Sequence, residues 1–245
     1  MGPNNVWLTM ALAAIAAGAL LVALWRRRGF GLTPGARHQA LGPEAALAKL
    51  SAGANRLARG ERLSRAGRAR LADLAKLQQP FAVLVGCSDS RVAPELIFGC
   101  GLGDLFVVRM AGNTVGDRGL GSIVYGVEVL EASLIVVLGH ARCGAVEAAV
   151  RLEQDEDAFS GALKDAITPI VPAVIQAKTT NPPDLVTAAV HENVRSIVER
   201  LKTSTPELSG RLADGRLKIV GAYYDLITGE VEFFDQAGSG VSSVT

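Results

Sequence analysis

Four short apolar runs constrain this chain more than any other feature: FAVLVG (81–86), LFVVRM (105–110), LIVVLG (134–139) and LKIVGAYY (217–224). Each is too short to be the core of a helix. Each is also rich in Val and Ile and continuous rather than alternating, as expected for strands buried on both faces. Between them, Leu120–Ala132, Gly144–Leu152, Leu163–Ala177 and Leu185–Leu201 have the length and spacing of helices. This alternation predicts an α/β fold with a mostly parallel central sheet and helices on both faces. A run from Val231 to Asp235 follows Thr228-Gly229 and predicts an antiparallel edge strand closing a hairpin. With 49% hydrophobic and 20% charged residues the chain is no candidate for disorder, and its three cysteines are too few for a disulfide scaffold.

Ahead of this body, Val6–Trp25 is a run of uncharged residues, and at 1.5 Å per helical residue its twenty positions reach about 30 Å, the thickness of a hydrocarbon core. Trp7 and Trp25 sit near its ends, and Arg26, Arg27 and Arg28 follow. A cleavable signal peptide carries its positive charge before the apolar run, so residues 1–28 are expected to be a transmembrane or signal anchor. The arginines place the rest of the chain on the cytoplasmic side, with export to the periplasm as the alternative. Residues 29–43, rich in Gly and Pro, read as a linker. Residues 44–77 have helical spacing interrupted at Gly60, residues 78–236 form the α/β domain, and 237–245 a tail. From Arg26 to Lys76 the charge balance is +9, which leaves the rest at −8 against a total of +1. Without interleaved aromatics or a nucleic-acid motif, this basic stretch points to anionic lipid and not to nucleic acid.

The chemistry collects at the carboxyl ends of two predicted strands, where open α/β sheets bind ligands. The first ends in Cys87-Ser88-Asp89-Ser90-Arg91, the third in Gly139-His140-Ala141-Arg142-Cys143-Gly144. His140 and Cys143, three apart where a strand enters a helix, can turn toward one point, and Cys87 supplies a third ligand. Thiolate and imidazole together suit Zn²⁺, and three protein ligands leave one tetrahedral place open, as in catalytic sites. Asp89 can occupy that place at times or orient a water in it. A different reading makes Cys87 a nucleophile with His140 as base and Asp89 as orienter, which leaves Cys143 and Arg91 without a role. It predicts inactivation by alkylation and no metal requirement. Cys100 reads as a core or loop thiol, and His191 as a surface residue of its helix.

CSDSR followed by GHARCGA resembles the zinc-site signature of the β-class carbonic anhydrases. The likeness covers about residues 42–236. It runs from LGPEAALAKL and NRLARGE through QQPFAVLVGCSDSRVAPELIF, GDLFVVRMAGN and VVLGHARCGAV to GAYYDLITGEVEFF. It implies a homodimer or higher homo-oligomer clasped by the amino-terminal helices, here 44–77, and hydration of CO₂ to bicarbonate and a proton by hydroxide generated on zinc. It makes Cys87, His140 and Cys143 the zinc ligands and Asp89 and Arg91 the dyad beside the metal. Asp89 becomes an additional ligand if Arg91 releases it. By the same likeness Gln78 and the Gly144 N–H orient the substrate; Asn113, which follows RMAG, has no role assigned by the likeness and is expected only to line the cleft.

Two thiolates offset the charge of Zn²⁺, so its water should be less acidic than at a site of neutral histidines, and activity should favour alkaline pH. Family members with a separate inhibitory bicarbonate pocket have Trp three residues before the first ligand, where this chain has Leu84. Arg109 and Tyr224 match other places of that pocket, and the departure at Leu84 favours an ordinarily open zinc site. A relative that hydrolyses COS or CS₂ would share the ligand set. A non-catalytic zinc-stabilised membrane partner would need no dyad.

Overall fold

A computed structural model describes residues 41–59, 71–72 and 74–234, which lie in the second of the chain's two units, Ala40–Thr245. The expected anchor, nearly all of the linker, residues 60–70 of the helical arm and the tail fall outside the described residues. Among the described residues no helix is long and apolar enough to cross a membrane.

The first described helix, α1 (Pro43–Ala58), opens with Pro at its first position, where the missing N–H costs nothing, and carries Glu44 in its first turn. The sheet comes next: β1 (Ala82–Gly86), β2 (Leu105–Arg109), β3 (Leu134–His140), β4 (Lys218–Tyr224) and β5 (Val231–Phe234). Their order is β2-β1-β3-β4-β5, parallel throughout except for the antiparallel β4–β5 pair. Each expected strand is present to within a residue at either end.

Successive side chains point to opposite faces, so the central strands feed two cores at once. Val83 and Val85 of β1 and Ile135 and Val137 of β3 face one core. Ala82, Leu84, Leu134, Val136 and Leu138 face the other, under Ala46, Leu50 and Ala54 of α1. Every residue of β1 and of β3 is buried. Burying each such Val, Leu or Ile side chain favours folding by about 1.5–3 kcal/mol, which is why both runs lack polar residues until the strand ends.

The helices are α2 (Pro94–Ile97), α3 (Asp117–Glu128), α4 (Gly144–Gln154), α5 (Gly161–Ile167), α6 (Val171–Lys178), α7 (Leu185–Thr203) and α8 (Pro206–Ala213). The single helix expected over Leu163–Ala177 is instead α5, a 3₁₀ turn at Thr168–Ile170, and α6. Pro169 and Pro172 lack the N–H groups that a continuous helix would use there. The helix expected over Leu120–Ala132 starts at Asp117 and stops at Glu128, because Glu131 adopts φ 59° and the Ala132 N–H turns back to the Gly126 carbonyl. The sequence pattern does not predict α2 and α8. Thr205 caps α8, its hydroxyl accepting from the Leu208 N–H at 3.3 Å.

Candidate metal centre

Cys87 lies one residue past the end of β1, and His140 is the last residue of β3. The two strands are adjacent and in register, with Gly86 opposite Leu138, so both functional residues emerge at one end of the sheet. Beyond β3, Arg142 takes φ 50°, reversing the chain so that Cys143 turns back and becomes the N-cap of α4. The ligand atoms of Cys87, His140 and Cys143 all lie within 4.8 Å of one another, and all three residues are buried. The sulfurs of Cys87 and Cys143 are 4.0 Å apart. Two thiolates on one tetrahedral zinc stand about 3.8 Å apart, given Zn–S bonds of about 2.3 Å.

The imidazole fits the same centre. His140 is wholly enclosed, and its Nδ1 lies 2.9 Å from the Ala141 carbonyl, which fixes Nδ1 as the donor and leaves a lone pair on Nε2. Among the described residues, Nε2 is the one buried side-chain nitrogen or oxygen without a hydrogen-bond partner. Such an orphan is costly unless something binds it. A cation among the three ligand atoms removes that cost, and the residues present therefore fit zinc.

The two thiols are held in opposite directions. The hydrogen bond shared with Cys143, aided by the backbone N–H groups of Gly112 and Asp89, brings the Cys87 thiol well below its ordinary range despite burial. The bond to Cys87 and burial push Cys143 far above the ordinary thiol range, although the first amides of α4 pull the other way. One proton shared between two sulfurs is what their closeness demands; a cation between them removes the need for it.

Asp89 stands beside the cluster, one oxygen 3.9 Å from His140 Nε2. Arg91 engages both carboxylate oxygens: Oδ1 accepts from the Arg91 backbone N–H at 2.9 Å and from Nε at 3.0 Å, and Oδ2 from Nη2 at 2.7 Å. That guanidinium, more than any other group, holds the Asp89 carboxyl well below the usual carboxylate range. Arg91 Nη2 also donates to the Arg142 carbonyl at 3.0 Å, tying the loop after β1 to the turn after β3. Arg109, at the end of β2, donates to the carbonyls of Cys87 (2.9 Å) and Asp89 (2.7 Å).

Of the residues expected at the site, the structure thus gathers Cys87, Asp89, Arg91, His140 and Cys143. Gly144 comes next as the first residue of α4, with open space where a side chain would be. Both oxygens of Asp89 are engaged on Arg91, so three ligands converge and not four. Gln78 is exposed in the irregular segment before β1, at the far end of that strand. The strand alone puts about 16 Å between that end and Cys87. Asn113 is buried, with φ 53°, in the 3₁₀ turn after β2. Cys100 lies between the sheet and α1, donates to the Phe98 carbonyl at 3.5 Å, and is pushed up to about 12, chiefly by burial. His191 is not a surface residue: it is half-buried, stacked on Tyr223 at 4.5 Å between centroids. The sequence reading missed Gly112, whose N–H reaches the Cys87 sulfur, and Asn193, which donates to the Gly112 carbonyl; both lie outside either motif.

A family model described as "Carbonic anhydrase" matches residues 82–231. Carbonic anhydrase 2 of Mycobacterium tuberculosis is 42% identical over 171 residues, covering 69% of this chain and 81% of that one. A carbonic anhydrase of Mycolicibacterium smegmatis is 38% identical over 197 residues, covering 80% and 95%. Among solved structures, one of two tetrameric β-carbonic anhydrases of Sordaria macrospora superposes with TM-score 0.63 at 25% identity, covering 81% of this chain and 98% of that one.

Proposed function

The chain belongs to the carbonic anhydrase family, in its β class, and within that family we infer how its own residues carry out the zinc-dependent hydration of CO₂ to bicarbonate and a proton. The observation that carries the reading is the convergence of Cys87, His140 and Cys143, with a buried, unpartnered imidazole nitrogen, beside an ionised Asp89. When held by these three side chains, zinc supplies the Lewis acidity that brings the pKa of water from about 16 toward about 7.

Asp89 stays a carboxylate and therefore only accepts hydrogen bonds. It takes one from the attacking water and so aims an oxygen lone pair at the carbon of CO₂. Arg91 sets the direction of Asp89 and, by keeping it engaged, leaves the fourth place at the cluster for that water. Were Arg91 to let go, Asp89 would be free to join the three side chains as a ligand. Arg109 steadies the backbone on which Cys87 and Asp89 sit, and the Gly144 N–H at the head of α4 receives an oxygen of the substrate. In its own chain Gln78 is too far to take part, so its amide serves a cluster only through a second copy of the chain. A homo-oligomer is consistent with this, as is the tetrameric state of the Sordaria macrospora proteins. The uncharged run Val6–Trp25 and the arginines after it support a membrane anchor with the catalytic domain in the cytoplasm. A reporter fused after Thr245 that is active only outside the cytoplasm would overturn that orientation.

Asp89→Ala tests the division of labour. The variant should keep its zinc and lose about 10²–10⁴-fold in CO₂ hydration measured by stopped flow, the range typical of a positioned acid–base group. Unchanged turnover would remove Asp89 from the reaction.

A further inference from the structure

Asn193 is a polar side chain deep in the molecule, 4% exposed, on the face of α7 that packs against the sheet. Its Nδ2 donates to the carbonyl of Gly112 at 2.8 Å, across 81 residues of sequence. Gly112 in turn directs its own N–H at the sulfur of Cys87, 3.4 Å away. Both bonds belong to one short turn, Ala111–Asn113, in which Gly112 (φ 62°) and Asn113 (φ 53°) are left-handed. Only glycine fits the first of these places. A Cβ there would come within 2.4 Å of Ile170 Cδ1 and 3.1 Å of the Ala145 side chain.

The two peptide planes meeting at Gly112 hinge on its φ and ψ. One plane carries the N–H aimed at Cys87, the other the carbonyl held by Asn193. Glycine has little preference of its own, so the aim of the N–H depends on what holds the neighbouring plane. We propose that Asn193 is a positioning residue for the metal centre: by holding the Gly112 carbonyl it keeps the Gly112 N–H on the Cys87 sulfur and so tunes that thiolate as a ligand. The inference rests on the cluster's holding zinc. It reaches beyond the ligand set to a helix that begins about 40 residues after the second signature, at Leu185. Partners of this outer kind usually account for 10–100-fold in metal affinity.

The test uses the full chain loaded with zinc or with Co²⁺, carrying Asn193→Leu or Asn193→Asp. Ile197→Ala, a buried core position one turn further along α7, is the control for destabilisation alone. The Asn193 variants should raise the zinc dissociation constant about 10–100-fold in chelator competition. They should also move the thiolate-to-Co²⁺ charge-transfer band to lower energy, because a sulfur without its N–H donor holds its electrons less tightly. Ile197→Ala should lower the melting temperature and do neither. Asn193 variants that lose stability while matching Ile197→Ala in zinc affinity and in the Co²⁺ spectrum would overturn the proposal. If neither Asn193 variant folds, the cadmium-loaded wild type decides: scalar coupling between the metal nucleus and the Gly112 amide proton is expected, and its absence would overturn the proposal equally. A wild-type chain that takes up none of these metals would instead sink the zinc reading itself.

Discussion

Cys87 at the carboxyl end of β1, and Cys100 between the sheet and α1, are the same residue type in enclosed places. They are poised for opposite fates. Cys100 has a weak bond to one carbonyl, and burial leaves it a protonated thiol pushed up to about 12. Cys87 is less exposed than Cys100, yet the bond shared with Cys143 and the backbone N–H groups of Gly112 and Asp89 hold it well below the ordinary thiol range. Burial by itself thus makes a thiol inert. Burial combined with aimed donors makes it a ligand.

The largest way to break the comparison is to remove a ligand. Cys143→Ala should leave the chain without stoichiometric zinc by metal analysis and with CO₂ hydration at background. Retained zinc and turnover would mean that the cluster is not the metal's place. The amino-terminal side can be broken sterically. Gly53 of α1 lies so close to the end of α2 that a Cβ would fall 1.7 Å from the carbonyl oxygen of Phe98, the C-cap of α2, which cannot move without the connection from α2 to β2. Gly53→Ala should therefore cost the upper part of the ~1–3 kcal/mol typical of overpacking, read by denaturant titration, with zinc content per folded chain unchanged.

A smaller effect sharpens the contrast among the thiols. Cys100→Ala should keep zinc and turnover within about twofold and cost about 1 kcal/mol of stability or less, as for the loss of one small, half-buried group. In the native zinc protein Cys100 should resist alkylation at pH 8, whereas chelation should expose Cys87 to it. Equal labelling of all three thiols by mass spectrometry, with and without chelator, would end the distinction.

The smallest expected effect carries the same reasoning to a histidine. Burial under Tyr223 and Phe234 lowers His191 below its ordinary 6.5; Arg195 adds to this, while Glu232 and Glu192 oppose it. Above that value neither the folded nor the unfolded chain carries the proton, and nothing is lost. As pH falls through it the unfolded chain binds a proton that the folded chain refuses, so stability should decline. His191→Gln should flatten that decline in denaturation curves taken between pH 7.5 and about 5. An unchanged slope would place His191 in a more solvated setting than the stack implies.

The strands and the metal motifs were legible because each is written in a few consecutive residues: valine-rich runs buried on both faces, and ligand types at the strand ends. The break at Pro169 and Pro172 is written in the sequence too, but the apolar periodicity that runs through it masks it. Asn193 was not legible. Its partner is a backbone carbonyl, a group that every residue carries and no motif marks, 81 positions away. Nor could sequence reading place Gln78, since the residue count to Cys87 is short while the strand between them is straight. The half-burial of His191 likewise depends on β5 folding back, with Phe234 brought alongside α7.

The position of the ligands on neighbouring strands also bears on how the chain reaches its native state. Cys87 hangs from β1, and His140 and Cys143 belong to the end of β3 and the turn after it, while β2 and α3 occupy the sequence between them. The metal-binding pocket therefore does not exist until a parallel pairing has closed a loop of some fifty residues, a slow and entropically costly event. An ion that binds only afterwards rewards that one pairing by mass action, stabilising the native topology in proportion to the logarithm of free zinc over its dissociation constant. Metal supply then governs how much of the chain is folded as well as how much of it is active.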